Sequence, residues 1–456
     1  MNYKDKKILI IGLGKSGVGA ISPLINNGAI LSVYDKKNIE DVDKEVIELF
    51  TRNNIETFLG YEPKNMKIFD LLIISPGVPL DLKFISEARD LGIEIIGELE
   101  LAYQFSKGKF VAITGTNGKT TTTTLVGEIF KRSGRKTQVV GNIGTPVIDK
   151  AIESDAETWF ITETSSFQLE TITSFHPVVS VLLNITPDHM DRHKTMEGYG
   201  SAKARIFENQ NENDYFIVNY DDEFAFSYGK LSKAKVVPFS RKVKLEFGCY
   251  VIDENIVIAN EKGEIVEICK VKDLKIPGLH NLENALAAVA TAYFAGVDTK
   301  SIGESLRTFE GVEHRLEFVR EYQKVRYVND SKGTNPDASI KAIEAIDGNI
   351  ILIAGGYDKG STFEKFIGSF NGKVKKMILL GKTAPLIKQT AEEMGFAEIQ
   401  IAKNMDQCVE FAFQSAVPGD TVLLSPACAS WDMYKCFEDR GEHFKNCVMN
   451  LGEKDE

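Results

Sequence analysis

The stretch Phe110–Phe130, FVAITGTNGKTTTTTLVGEIF, reads as an apolar strand, a glycine turn carrying a lysine, and a helix. Its core, Gly115–Thr120 (GTNGKT), is shorter than a full P-loop, because the first glycine of that pattern would fall at Ile113. The chemistry survives the shortening. Gly115 and Gly118 let backbone amides approach phosphate oxygens, Lys119 adds a point charge, and Thr120 can place a hydroxyl on Mg²⁺ at the helix start. Gly115, Thr116, Asn117, Gly118, Lys119, Thr120 and Thr121 are therefore the candidate ATP loop. A strand feeding a helix in this way predicts an α/β unit with a parallel sheet.

About a hundred residues earlier, KKILIIGLGKSGVGAI (Lys6–Ile21) is another strand entering a helix through a glycine turn. Gly12, Gly14 and Gly17 match G-x-G-x-x-G, and Asp35 ends the next strand where a ribose-binding carboxylate would lie. Taken alone this points to NAD, but a helix N-terminus accepts any diphosphate, and a purely structural turn fits equally. The turn Ser75–Pro79 (SPGVP) closes another strand at the edge where α/β folds bind ligands.

At 456 residues the chain is long enough for two to four domains. From Lys7 to about Gly97, KILIIG, LSVYD, DLLIIS and IEIIG read as strands of a first α/β unit. A second begins near Phe110, with strands at TWFIT and VVSVLLN. Between Tyr215 and Ile276, YFIVN, YVID, NIVIAN and EIVEIC are short and close-set, which predicts a small antiparallel layer. The helix LENALAAVATAYFAG closes this part, and VRYVND, IILIAGG, KKMILLG, IQIA and TVLLSPA form a third α/β run. The expected domains are 1–97, 98–311 and 312–456.

A formal charge of −11 opposes non-specific nucleic-acid or anionic-membrane binding. Six cysteines without a Cys-x-x-Cys pair fit a reducing cytosol. No run of 18 apolar residues occurs, so a soluble cytoplasmic protein without membrane insertion is expected.

Glu163 follows the strand TWFIT, so its carboxylate should emerge beside the ATP loop, where it can hold Mg²⁺. His189, in NITPDHMDRH, emerges at the same edge, and Lys203 sits in the helical stretch YGSAKARIF. Singly, a histidine or lysine is most often a satisfied surface group. The shared sheet edge favours function.

In order, TGTNGKTT, GNIGTP, ETSSFQLE, NITPDHMDRH, PGLHNLENALAA, EHRLE, NDSKGTNP and SPACASWD resemble the motifs of the Mur ligases, the ATP-dependent amino-acid ligases of peptidoglycan synthesis. With the first loop included, the resemblance spans nearly the whole chain. ETSSFQLE, NDSKGTNP and SPACASWD together resemble the D-glutamate-adding branch, and the DNPR of diaminopimelate- or lysine-adding members is absent. The resemblance implies a Rossmann-like UDP-binding domain, a central ATPase-like domain and a Rossmann-like amino-acid domain. It places UDP on Gly14, Ser16, Asp35 and the Ser75, Pro76, Gly77 turn, and ATP on the second loop. Lys36 and Lys37 can add charge near UDP.

It further implies two Mg²⁺ ions, one on Thr120 and Glu163, the other on His189 and a carbamylated Lys203; Lys119, Glu163, His189 and Lys203 are then the catalytic set. Asn142, Ser165 and Gln168 would line the muramoyl-alanine arm, and Asn281, Asn284, Arg315 and Asp330 would surround adenine, ribose and phosphates. Lys332, Thr334, Lys359, Ser430, Trp431 and Phe437 would form the D-glutamate site, with core packing an open alternative for Trp431 and Phe437. The implied substrates are UDP-N-acetylmuramoyl-L-alanine and D-glutamate, taken by a monomer. An NAD-dependent dehydrogenase is the rival from another class, but it leaves GTNGKTT without a task.

Overall fold

Runs such as Ile8–Ile11 and Leu71–Ile74 have essentially no exposure, as strands covered by helices on both faces require. A computed structural model describes residues 3–142, 144–276, 278–358 and 360–452. It contains three α/β units, each with its own sheet. The first joins β1 (Lys7–Ile11), β2 (Ile30–Asp35), β3 (Glu56–Leu59), β4 (Leu71–Ile74) and β5 (Glu94–Gly97) in the order β3-β2-β1-β4-β5, all parallel. Strand order reverses between β1 and β4, and the Gly12–Gly17 loop and the Ser75–Gly77 turn leave those two strands on either side of the resulting crevice.

Gly17 lies where this loop meets its helix, Lys15–Asn26, and a Cβ there would stand 2.0 Å from the Gly12 carbonyl oxygen. Gly17→Ala is therefore expected to destabilise the protein by about 3 kcal/mol through backbone displacement, read as a lowered urea midpoint.

The second sheet runs β14-β13-β12-β11-β10-β9-β6-β8-β7. Its strands are β6 (Lys109–Thr114), β7 (Thr137–Gly141), β8 (Trp159–Glu163), β9 (Val179–Leu182), β10 (Tyr215–Asn219), β11 (Lys235–Ser240), β12 (Gly248–Ile252), β13 (Asn255–Ala259) and β14 (Ile265–Lys270). The antiparallel strands are β12 to β14, and they extend the main sheet. YFIVN is a correction to the sequence reading: as β10 it pairs parallel to β9 and β11. Helical segments at Met196–Ala204 and Glu223–Ser227 intervene on either side of it, and such crossovers return the chain in the same direction. The helix Leu279–Phe294 presents Ala285, Ala287, Ala288 and Ala290, all fully buried, and packs against the helix Lys119–Arg132.

The third sheet, β15-β16-β20-β17-β18-β19, contains β15 (Glu317–Tyr322), β16 (Val325–Asn329), β17 (Ile350–Ala354), β18 (Val374–Leu379), β19 (Ile399–Ile401) and β20 (Thr421–Leu424). All its pairs are parallel except the hairpin of β15 with β16. That hairpin turns at Gln323 and Lys324, both at positive φ (51° and 62°), without the glycine or asparagine that usually announces such a turn. Among the described residues no helix is long and apolar enough to cross a membrane. No cysteine is in a disulfide.

Candidate active site

β6 lies between β8 and β9, so the chain leaves three neighbouring strands at one edge: the Gly115–Lys119 loop after β6, Glu163 at the end of β8, and Asn184–His189 after β9. Gly118 is left-handed (φ +86°), and a Cβ on it would lie 2.2 Å from Asn284 Oδ1, so the loop tolerates only glycine there. Lys119 Nζ folds back to donate to the carbonyls of Gly115 (2.9 Å) and Thr116 (2.7 Å). The same Gly115 carbonyl accepts from Lys203 Nζ at 2.7 Å. Burial, with the Lys119 ammonium alongside, holds Lys203 well below the usual lysine range, against the pull of Asp188 and Glu163.

Glu163 is 1% exposed; its Oε1 accepts from Asn142 Nδ2 at 2.9 Å, while Oε2 is buried with no hydrogen-bond partner. His189 adopts the left-handed conformation (φ 54°) and packs edge-on against Phe167, ring centroids 4.9 Å apart.

Lys119, Thr120, Asn142, Glu163, Gln168 and His189 line a cavity of about 740 Å³ with Ser16 and Pro76 of the first unit and Arg315, Lys332, Thr334 and Phe437 of the third. Thr116 and Asn117 line it as well. A smaller adjoining cleft is bordered by Gly118, His280, Asn284, Arg315, Asp330 and Lys332, with Asn281 buried and its Oδ1 accepting from Asn284 Nδ2 at 3.1 Å. Burial pushes the Asp330 carboxyl up to about 6 despite Arg315, pulls Lys332 down to about 8, and pulls His280 down to about 3.

Asp35, Ser75, Gly14, Gly77, Ser165, Thr121, Ser430 and Trp431 are not part of the cavity wall. Asp35 accepts from the backbone amides of Leu13 (2.7 Å) and Lys37 (3.0 Å), and Ser75 Oγ donates to the Gly12 carbonyl (2.8 Å), so both shape the first loop. Gly14 and Gly77 face open space. Ser165 caps the helix Ser166–Leu169 in a capping box with Gln168. Thr121 is buried in the helix, its hydroxyl without a partner. Ser430 is buried, whereas Trp431 is 61% exposed and leans on Tyr357, which removes core packing as its role. Phe437 faces the cavity, with Lys332 Nζ 5.0 Å from its ring centre. Lys359 lies outside the described residues.

Three family models match consecutive parts of the chain: the Mur ligase MurD-like N-terminal domain over residues 6–97, the Mur ligase middle domain over 113–292, and the Mur ligase glutamate ligase domain over 314–428. The UDP-N-acetylmuramoylalanine--D-glutamate ligase of Alkaliphilus oremlandii is 52% identical over 454 residues, 99% of this chain and 100% of the relative. The chain belongs to the Mur ligase family. Enzymes of the same name from Caldanaerobacter subterraneus subsp. tengcongensis and Clostridioides difficile are 50% and 49% identical, each over 99% of this chain and 100% of its own length. Among solved structures, UDP-N-acetylmuramate-alanine ligase MurC of Thermotoga maritima (TM-score 0.60, 19% identity, 98% and 100% coverage) and MurF ligase of the same organism in complex with ADP (TM-score 0.60, 16% identity, 98% and 96% coverage) share the three-domain fold.

In this Mur ligase, contacts that sequence reasoning missed hold the units around the cavity. Arg192 donates to the Pro76 carbonyl (3.1 Å), pairs with Glu170 (2.5 Å) and lies over the Phe167 ring (4.1 Å), which ties the first unit's turn to the His189 segment. Across to the third unit, Asn335 Nδ2 reaches Asp188 Oδ2 at 3.3 Å, and Asp337 accepts from Thr186 Oγ1 (3.2 Å) and from Asn117 Nδ2. Losing these acceptor bonds costs about 1.5 kcal/mol, so Asp337→Ala is expected to raise KM for the amino-acid substrate roughly tenfold with a smaller change in kcat, measured by steady-state phosphate release.

Proposed function

We propose that this chain joins D-glutamate to UDP-N-acetylmuramoyl-L-alanine in peptidoglycan precursor synthesis, with cleavage of ATP through an acyl phosphate that releases ADP and phosphate. The observation that carries the reading is the single cavity in which a phosphate-type loop with its lysine and a carboxylate with an orphaned buried oxygen meet walls from all three units. UDP would run over Gly14, Ser16 and the Ser75–Gly77 turn, with Asp35 holding the loop. The muramoyl-alanine arm would pass Asn142 and Gln168. ATP would occupy the second loop and the cleft of Asn281, Asn284, Arg315 and Asp330, and the amino acid would meet Lys332, Thr334 and Phe437.

A carboxylate is a poor electrophile, so amide formation in water needs activation. In-line transfer of the γ-phosphoryl to the L-alanyl carboxylate makes an acyl phosphate; the D-glutamate amine attacks its carbonyl, and phosphate leaves from the tetrahedral adduct. Lys119 supplies charge to the transferring oxygens. Glu163 Oε2, with Thr120, fits one Mg²⁺, since an unpartnered buried carboxylate oxygen is the hard donor that ion takes. His189 and a carbamylated Lys203 are the proposed holders of a second. Bound there, Mg²⁺ offsets the repulsion between the carboxylate and the triphosphate. Enclosure by the third unit keeps water from the acyl phosphate. Because one chain supplies every wall, a monomer is the proposed working form, in the cytoplasm where ATP and nucleotide-linked precursors reside.

The test is phosphate release from ATP, Mg²⁺ and UDP-N-acetylmuramoyl-L-alanine with single amino acids. Release should depend on D-glutamate, and equal release with L-lysine or L-alanine would overturn the assignment. Calorimetry should show uridine-nucleotide binding; NAD binding in its place would favour the dehydrogenase.

A further inference from the structure

On the face of the third unit formed by the helices Met405–Ser415 and Phe437–Met449, three different metal-binding side chains converge. His443 and Cys447 are four residues apart on one helix, so they share a face one turn from each other. Asp406 lies in the first turn of the other helix, which packs against it. Their donor atoms all fall within 4.8 Å of one another. His443 Nε2 is 3.2 Å from Asp406 Oδ2, and Cys447 Sγ is 3.6 Å from Asp406 Oδ1.

We propose that Asp406, His443 and Cys447 form a second metal site, for Zn²⁺ or a transition metal of similar softness. Tetrahedral Zn²⁺ with bonds of about 2.0–2.3 Å places its donors about 3.3–3.7 Å apart, close to the two separations above. The second ring nitrogen of His443 already has a partner: Nδ1 and the Tyr434 hydroxyl are 3.0 Å apart. That contact holds the ring with Nε2 toward the other donors, as ligand histidines are commonly held. Thiolate and imidazole disfavour Mg²⁺, which separates this site from the oxygen-rich one in the cavity. Three protein ligands leave a fourth position to water, and binding releases the Cys447 thiol proton to solvent. The ion would clamp a helix whose first residues, Phe437 and Glu438, form part of the cavity wall.

The test uses the full chain, stripped of metal and titrated with Co²⁺. A thiolate-to-cobalt charge-transfer band should grow to one equivalent, persist in excess Mg²⁺ and disappear on adding Zn²⁺. No cysteine lines the active-site cavity, so Co²⁺ bound there gives no such band. Cys447→Ser should abolish the band, and Cys436→Ser, which alters the other partly exposed thiol, should keep it. His443→Gln, at a partly exposed position, should weaken Co²⁺ binding at least tenfold. No band in the unaltered protein, a band retained by Cys447→Ser, or unchanged affinity in His443→Gln would each overturn the site and leave an ordinary His–Asp ion pair.

Discussion

Lys119→Ala is expected to lower product formation by at least a thousandfold while affinity for the UDP-linked substrate changes less than about twofold. The Lys119 ammonium stands 2.9 Å and 2.7 Å from two carbonyls of its own loop, poised at the place where transferring phosphate oxygens would lie. Removing such a charge in a water-poor site costs about 4 kcal/mol of transition-state stabilisation, which is the thousandfold. The proposed UDP end of the cavity is built from Ser16 and Pro76 of the first unit, which has its own sheet, so that affinity has no reason to follow. A product assay and calorimetry with the UDP-substrate on the same preparation check both halves. Near-normal turnover would take Lys119 out of the mechanism.

The second large effect concerns Lys203. An ammonium has donors only and cannot ligate Mg²⁺, whereas its CO₂ adduct is a carboxylate-like oxygen donor. Carbamylation needs the neutral amine, and the lowered proton affinity of Lys203 supplies it at lower pH than an exposed lysine would. Lys203→Ala is expected to lose about a thousandfold in activity, with partial recovery in formate or acetate. The linkage sign is also defined. In the unmodified protein the folded state binds fewer protons at Lys203 than the unfolded state does, so stability rises with pH from the depressed folded value toward 10.5. Denaturant titrations across pH without bicarbonate should lose that increment in Lys203→Ala. Mass measurement showing unmodified Lys203 in a fully active, metal-loaded enzyme would end the carbamate reading.

What the sequence by itself determined is local. Phe110–Phe130 specifies strand, loop and helix because side-chain period and glycine sterics act within a few residues. Strand ends then place Glu163 and the His189 segment on the same edge as the loop. The two glycine loops, the three α/β runs and the family motifs are legible for the same reason. The tertiary structure decided what depends on distant partners. Asn117 meets Asp337 across 220 residues, and Arg192 meets Pro76 across 116, and the turns that hold Asn117 and Pro76 carry no signal of which distant residue they meet. The burial that depresses Lys203 and the unpartnered Oε2 of Glu163 arise only when separate strands and helices enclose them. Likewise YFIVN, short and close to the strands that follow, reads in isolation as part of a small antiparallel layer, and only its helical crossovers make it parallel as β10. Contact energies between remote residues enter when the chain is packed, so they leave no pattern in a single sequence.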